Sequence, residues 1–171
     1  QHRQTSVDGE RRQRLTDRIA GTAALSDTNQ YLRLEVAGHS YLLPSVQRYT
    51  IEQRDNLTEN LDHASGVAAW RVVRNDRWPA YALDGALRLT RAPAQWQRAV
   101  FLEGSPHMVG LIVDDVQLLP RGAVTVTPFT PLGPSPTGEG HLFVNAWVNA
   151  GRVTLVFSPP ALLGYLRSLG G

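Results

Sequence analysis

The residues that could support metal binding or acid–base catalysis are five histidines and one pair of adjacent aspartates. The histidines stand singly, without the close spacing that brings two ligands to one face of a strand or helix. They are His2, His39, His63, His107 and His141. Asp114 and Asp115 are neighbours on a predicted strand, so their carboxylates point to opposite faces and cannot share a proton or a metal ion. These spacings predict neither a metal site nor a catalytic acid–base pair.

Motifs for covalent catalysis and for phosphate binding are also missing from the sequence. The chain has no cysteine, which excludes a thiolate nucleophile and a cysteine-ligated metal, and it has no Gly-x-Ser-x-Gly motif. Segment 133–140 is rich in glycine but lacks the Gly-Lys-Ser/Thr of a phosphate-binding loop, and its prolines remove backbone donors. We therefore expect a protein that is not an enzyme and that uses no cofactor or metal.

The positive charge of the chain is concentrated at its N-terminal end. All 17 basic residues are arginines, and the first 20 residues hold five of them beside three acids. This segment carries the whole net charge of +2, because the other 12 arginines are matched by 12 acids. We expect residues 1–28 to be a polar arm or linker remnant that precedes a folded domain at 29–171. A nucleic-acid-binding small β-barrel is an alternative that would depend on this arm, since the body lacks a net basic composition.

From residue 30 onward the apolar residues recur with a period of two, as in the segment 31–36, where apolar and charged side chains alternate. Ten or eleven short strands follow one another at regular intervals, separated by turn residues. They cover 31–36, 41–43, 46–52, 67–73, 78–83, 100–102, 108–113, 116–119, 123–127, 141–148 and 152–157. After Pro159-Pro160 the spacing becomes that of a short amphipathic helix. The pattern predicts an all-β fold with a short C-terminal helix.

The connections between these strands carry their own signals. Asn75-Asp76 is a tight-turn pair, and 149–151 predicts the turn of the last hairpin. Segment 53–65 is polar and predicts a loop, and 84–97 predicts a connection that contains a short helix. Segment 128–140 predicts a surface loop, because its four prolines leave few backbone groups able to join a sheet.

The remaining candidates for function are aromatic. Trp70, Trp78, Trp96 and Trp147 are numerous for a chain of this length, and tryptophan serves both as a core residue and as an interface anchor. Without a catalytic motif beside them, these residues indicate a non-catalytic β domain that binds other proteins.

Four segments carry motifs of a known family. Met108–Val116 is similar to the signature Val-Gly-Leu-Val-Val-Asp-x-Val, and 31–44 to the family's first hairpin. Segment 72–83 is similar to an Asn-Leu-Arg-Gly segment followed by a Pro-Val-Ile-Asp-Leu strand, and 151–157 to the last strand before a helix. On these motifs the chain, over about residues 29–169, resembles the CheW family, the coupling domains of bacterial chemosensory arrays.

The resemblance implies a fold, partners and contact residues. The fold would be two packed five-stranded SH3-like barrels without catalytic activity. The partners would be the regulatory domain of a CheA-type histidine kinase and the cytoplasmic tip of a chemoreceptor, in cytoplasmic arrays at the inner membrane. No nucleic acid and no membrane insertion are expected. The implied partner contacts are Val46, Arg48, Tyr49 and Arg74, with Trp78 as an anchor.

Three positions depart from the family's pattern. Asn75 stands in place of the glycine that follows the motif arginine, and Ala82 in place of the aspartate of the next strand. Arg48 stands where an acidic residue is common, and this reversal of sign should alter partner choice. These departures keep open a second interpretation, a CheW-like scaffold or array-localising domain of a larger protein. Such a protein would serve a type IV pilus or another alternative chemosensory system.

Overall fold

The computed structural model describes residues 30–135, 138 and 140–170, so the arm expected at residues 1–28 lies outside the described part. Thirteen strands are present in these ranges. They are β1 Tyr31–Val36, β2 His39–Pro44, β3 Tyr49–Gln53, β4 Thr58–Glu59, β5 Ala69–Val73, β6 Asp76–Leu83, β7 Leu89–Thr90, β8 Arg98–Leu102, β9 Val109–Val113, β10 Asp115–Leu118, β11 Val126–Pro128, β12 Phe143–Asn149 and β13 Arg152–Phe157. A single 3-10 turn covers Arg54–Asn56, and one α-helix, α1, covers Pro159–Ser168.

The strands form two curled sheets, which confirms the predicted all-β fold with a C-terminal helix. The first sheet has the order β10-β1-β2-β13-β12-β11. The second has the order β3-β8-β9-β6-β5-β4, and β7 pairs with β6 beside it. Most neighbouring strands are antiparallel, whereas β13 pairs with β2 and β6 pairs with β9 in parallel.

The period-two alternation distributes side chains over three apolar layers. The largest layer lies between the two sheets and α1. It contains the even-numbered residues of β1, such as Leu34, and the odd-numbered residues of β9, such as Leu111. A second layer lies on the other face of the second sheet, around Phe101 and Trp96. A third lies on the other face of the first sheet, around Leu42 and Val156. Strands β8 and β9 are buried on both faces, so their sequences are nearly continuous apolar runs rather than alternating ones.

Helix α1 begins where the sequence predicted it. Its first two residues are Pro159 and Pro160, which have no backbone N–H to leave unpaired at a helix start. Leu162 and Leu166, four residues apart, are fully buried in the layer between the sheets. The helix thereby closes one end of the central core.

Several predicted boundaries differ from the structure. The strand expected from residue 46 begins at Tyr49, because Ser45 and Val46 form a turn closed by the bond from Gln47 N–H to Pro44 O. The turn predicted at Asn75-Asp76 is formed by Arg74 and Asn75, since Asp76 pairs with Val73 across the hairpin. The last hairpin turns likewise at residues 150–151, because Asn149 pairs with Arg152.

The prediction of a short helix within 84–97 is also wrong. This segment contains β7 and turns, and the turn at its start is fixed by Asp84, whose carboxylate Oδ1 accepts bonds from the Ala86 and Arg88 amides. Pro93 then precedes a turn in which Trp96 N–H donates to the Pro93 carbonyl. A side chain bonded to nearby amides competes with helix formation, which explains the difference. Strands β4 and β7, of two residues each, account for the excess over the predicted strand number.

Candidate partner-binding surface

The register of the second sheet brings the five predicted contact residues to one end of that sheet. Tyr49 pairs with Leu102, and Leu102 pairs with Val109, so β3 and β9 begin where β8 ends. Because β6 runs parallel to β9, the start of β6 lies at the same end. Val46, Arg48, Tyr49, Arg74 and Trp78 all lie at this end, which we call the docking end.

The first part of the docking end is the β2–β3 connection. Val46 is an exposed apolar residue, with 78% of its surface accessible, and the Arg48 side chain is 85% exposed. The Gln47 side-chain amide donates to the carbonyls of Arg48 (2.9 Å) and Glu103 (2.8 Å). This amide therefore holds the connection against the loop that follows β8.

The second part is a groove between the start of β6 and the β8–β9 loop. Its lining includes Trp78 on one side and Glu103, Pro106 and His107 on the other. Met108, the residue before β9, also lines the groove. Glu103 joins the two parts, because it lines the groove and its Oε2 lies 3.9 Å from Arg48 Nη1.

Arg71 fixes the half-buried Trp78 ring. Its guanidinium carbon lies 5.4 Å from the Trp78 ring centroid, within the range of a cation–π contact. Arg71 Nε also donates to Glu52 Oε1 at 2.9 Å, and Nη1 donates to Met108 Sδ at 3.3 Å. The indole thus stands in one orientation at the groove edge, which suits an anchor residue because little side-chain entropy remains to be lost on binding.

Arg74 lies in the turn between β5 and β6, two residues before Asp76 in the groove wall. Its φ of +58° is in the left-handed region, where the side chain of a non-glycine residue is strained. The side chain is exposed, and it has no hydrogen bond or ion pair with any residue in the described ranges. The two-residue turn between Val73 and Asp76 requires this positive φ, so the exposed guanidinium, rather than the backbone, makes Arg74 a candidate contact residue.

Tyr49 differs from the other four residues. Its side chain is half-buried and packs against the layer between the sheets, whereas Trp78 packs on the opposite face of the second sheet. The two aromatic rings therefore cannot line one groove, although their strands begin at the same end. Tyr49 can reach a partner only at its exposed edge.

Sequence reasoning did not identify Glu103, Asp76 and Pro106 as members of this surface. Asp76 and Pro106 are 30 positions apart in the chain, and Glu103 is 55 positions from Arg48. Only the pairing of β8 with β3, and of β9 with β6, brings these segments together.

In the described part of the chain, the histidines and the pair Asp114-Asp115 are not grouped into one site. Asp114 Oδ2 accepts from the Gly38 amide, while Asp115 Oδ1 pairs with Arg98, so the two carboxylates have separate partners. Within residues 30–135, 138 and 140–170, no three His, Asp or Glu side chains are grouped to hold a metal ion. Among the same residues, no helix has the length and apolar character needed to cross a membrane.

Of three comparisons with known proteins, the one with solved structures finds a match. Neither protein-family models nor curated proteins match the sequence. Among solved structures, the chain is similar to the crystal structure of the scaffolding protein TtCheW from Thermoanaerobacter tengcongensis, with a TM-score of 0.50 and 14% identity. The match covers 76% of this chain and 84% of that one. At this level of identity the similarity establishes the fold, and the chain therefore has a CheW-like fold.

Proposed function

We propose that this chain is a non-catalytic adaptor that couples a CheA-type histidine kinase to a chemoreceptor by docking both proteins. The observation that carries the proposal is the docking end, where a groove lined by an oriented tryptophan lies at the same end of the sheet as an exposed valine and two exposed arginines. Trp and Arg are the residue types that contribute most to protein interfaces. The CheW-like fold supports the same role.

Within this proposal the contact residues have different tasks. Trp78 offers an apolar wall to a partner side chain that enters the groove, and Arg48 and Arg74 select for acidic side chains around it. Val46 adds apolar contact beside Arg48. Tyr49 holds the start of β3 by packing against the central core. The adaptor changes signalling by binding one state of its partner better than another, which shifts the population of states.

A binding experiment tests the proposal. The protein is titrated by calorimetry with the kinase regulatory domain and with the receptor cytoplasmic tip from the same genome. We expect micromolar or tighter binding of at least one of them, and weaker binding by Arg74→Ala. Arg121→Ala is the matched control, because Arg121 is an exposed arginine of the β10–β11 connection in the first sheet. If neither protein binds, or if both variants weaken binding equally, the proposed function is wrong.

A further inference from the structure

We propose that a second site, at the opposite end of the second sheet from the docking end, binds a small organic anion with an apolar body. This site is a cavity of about 470 Å³ between the β4–β5 connection and the segment that follows β7. The volume lies within the range of about 300–1,000 Å³ that is usual for small-molecule sites. The inference is independent of the proposed partners, because the cavity shares no lining residue with the groove at Trp78.

Both walls of this cavity are held in place by side chains bonded to the backbone. On one wall Asn60 Nδ2 donates to the carbonyls of Asp62 and Val67, each at 2.9 Å. On the other wall Arg54 Nη1 donates to the carbonyls of Ala94 (2.8 Å) and Trp96 (3.1 Å). A cavity with fixed walls loses little conformational entropy when a ligand binds.

The inner surface offers an apolar floor. Val67 and Trp96 line the cavity and are themselves buried, and Leu89 adds an exposed apolar side chain at its edge. Arg54 stacks over the Trp96 ring at 4.8 Å, so one face of the indole is already occupied. A flat or aliphatic group of a ligand would pack against the remaining apolar surface.

The lining residues include two arginines and one carboxylate, and this excess of positive charge favours an anion. Glu59 is the one carboxylate among the lining residues, and it is already paired with Arg54. Asp62, beside the cavity, directs Oδ1 to the Ala64 amide. Arg91 lines the cavity, and its guanidinium has no hydrogen bond or ion pair in the described part of the chain. After the internal pairing of Arg54 and Glu59, this cation is left to bind an oxyanion, and His63 and Thr90, which also line the cavity, can donate further hydrogen bonds.

The test uses four probes and follows the backbone amide and tryptophan indole N–H signals by NMR. Phenyl phosphate and benzoate combine an apolar ring with an anion, whereas inorganic phosphate and phenol each supply one half. We expect saturable shifts at Trp96 and Thr90 with at least one of the two ring-bearing anions, in the millimolar range or tighter, as a ligand of this size allows. Binding of phenyl phosphate alone, or of benzoate as well, identifies which oxyanion the site takes.

Variants separate a built site from general attraction of anions. Arg91→Gln should lower the affinity for the ring-bearing anion about tenfold, as the loss of one charge-assisted hydrogen bond predicts. Arg88→Gln, three residues away and outside the cavity lining, should leave the affinity within twofold. Ala94→Phe, at an exposed position of the cavity wall, should abolish the shifts by filling the space. The proposal is overturned if no probe saturates, if inorganic phosphate binds as tightly as the ring-bearing anions, or if the two arginine variants behave alike.

Discussion

Arg48 and Glu103 are joined both through the backbone and through their side chains. The Glu103 N–H donates to the Arg48 carbonyl at 3.0 Å, and Arg48 Nη1 lies 3.9 Å from Glu103 Oε2. The backbone bond continues the pairing of β3 with β8 beyond the ends of both strands. The ion pair itself is long and open to solvent, so it contributes little to stability and leaves Arg48 available to another molecule.

Reversing the charge at position 48 should therefore affect binding far more than folding. Arg48→Glu is expected to lower the unfolding free energy by less than about 1 kcal/mol, because the exposed pair is weak. It should weaken binding to the kinase domain or to the receptor tip at least tenfold if that partner presents an acidic side chain here. Chemical denaturation and calorimetry measure the two effects.

The charge-swapped double variant Arg48→Glu/Glu103→Arg provides the control. It restores an ion pair within the protein but presents the opposite sign to a partner at position 48. We expect binding to stay weak in this variant. Full recovery of affinity would show that the pair acts only by holding the loop, and that Arg48 is no contact residue.

Arg74 allows backbone strain and partner contact to be measured separately. Its φ of +58° costs a non-glycine residue about 1–2 kcal/mol, and glycine adopts this conformation without that cost. Arg74→Gly should therefore be at least as stable as Arg74→Ala, although glycine loses more entropy on folding. Both variants should bind the partner equally weakly, because each lacks the guanidinium.

Thermal unfolding and calorimetry on these two variants give the outcome. Equal loss of affinity with a higher Tm for the glycine variant supports a contact role for Arg74. If affinity instead follows Tm across the two variants, the turn geometry rather than the side chain matters for binding.

The alternation of apolar and polar residues, with the continuous apolar runs of β8 and β9, was sufficient to predict the all-β class, because a strand buried on one face must alternate with a period of two. The two-barrel arrangement was implied by the resemblance to the CheW family. Every strand of three or more residues in the described ranges corresponds to a predicted segment. Strands β4 and β7 were missed because two residues cannot display a period. Strand β7, Leu89–Thr90, exists only because Leu83 and Ala82 of β6 supply its hydrogen-bonding partners.

The candidate contact residues could be suggested from the sequence, but their arrangement could not. Arg48 and Glu103 are 55 positions apart, and no spacing rule connects them. The alternation in β3 was too weak to show that Tyr49 faces the core between the sheets while Glu52 faces Arg71. Burial on both sides of the sheet, a tertiary property, decides these orientations.

Gly110 of β9 is placed where no side chain fits. A Cβ at this position would lie 2.8 Å from Phe101 Cε1 and 2.9 Å from Ala80 Cβ, both in buried neighbouring strands. We expect Gly110→Ala to lower the unfolding free energy by about 1–3 kcal/mol, the usual cost of overpacking a core. Urea denaturation measures this change.

Two further variants show whether the cost comes from this contact. Gly138→Ala is the control, because a Cβ there has no atom of the other described residues within 4 Å. Phe101→Leu/Gly110→Ala gives the new methyl group space, so its stability should exceed the value expected if the two single costs were added. Strict additivity would mean that the aromatic ring does not limit position 110.

The buried tyrosines predict a loss of stability at alkaline pH. Burial raises the pKa of Tyr31, Tyr41 and Tyr81 above the ordinary value of 10.0. The unfolded chain therefore releases these protons first, and the unfolding free energy should fall as the pH rises from about 10 toward the folded pKa values. Each such tyrosine lowers the unfolding free energy by up to about 1.4 kcal/mol per pH unit in this window, and it causes no decrease at lower pH.

This chain makes the measurement unusually direct. It contains no lysine and no cysteine, so tyrosine is the side chain that titrates between about pH 9 and 12. Urea denaturation between pH 8 and 11 should show a plateau followed by a decline. Tyr81→Phe keeps the ring in the central core and removes one phenol, so its decline should be shallower than that of the parent protein. An identical decline in both would mean that Tyr81 ionises equally readily in the folded and unfolded chain, which its burial between the two sheets argues against.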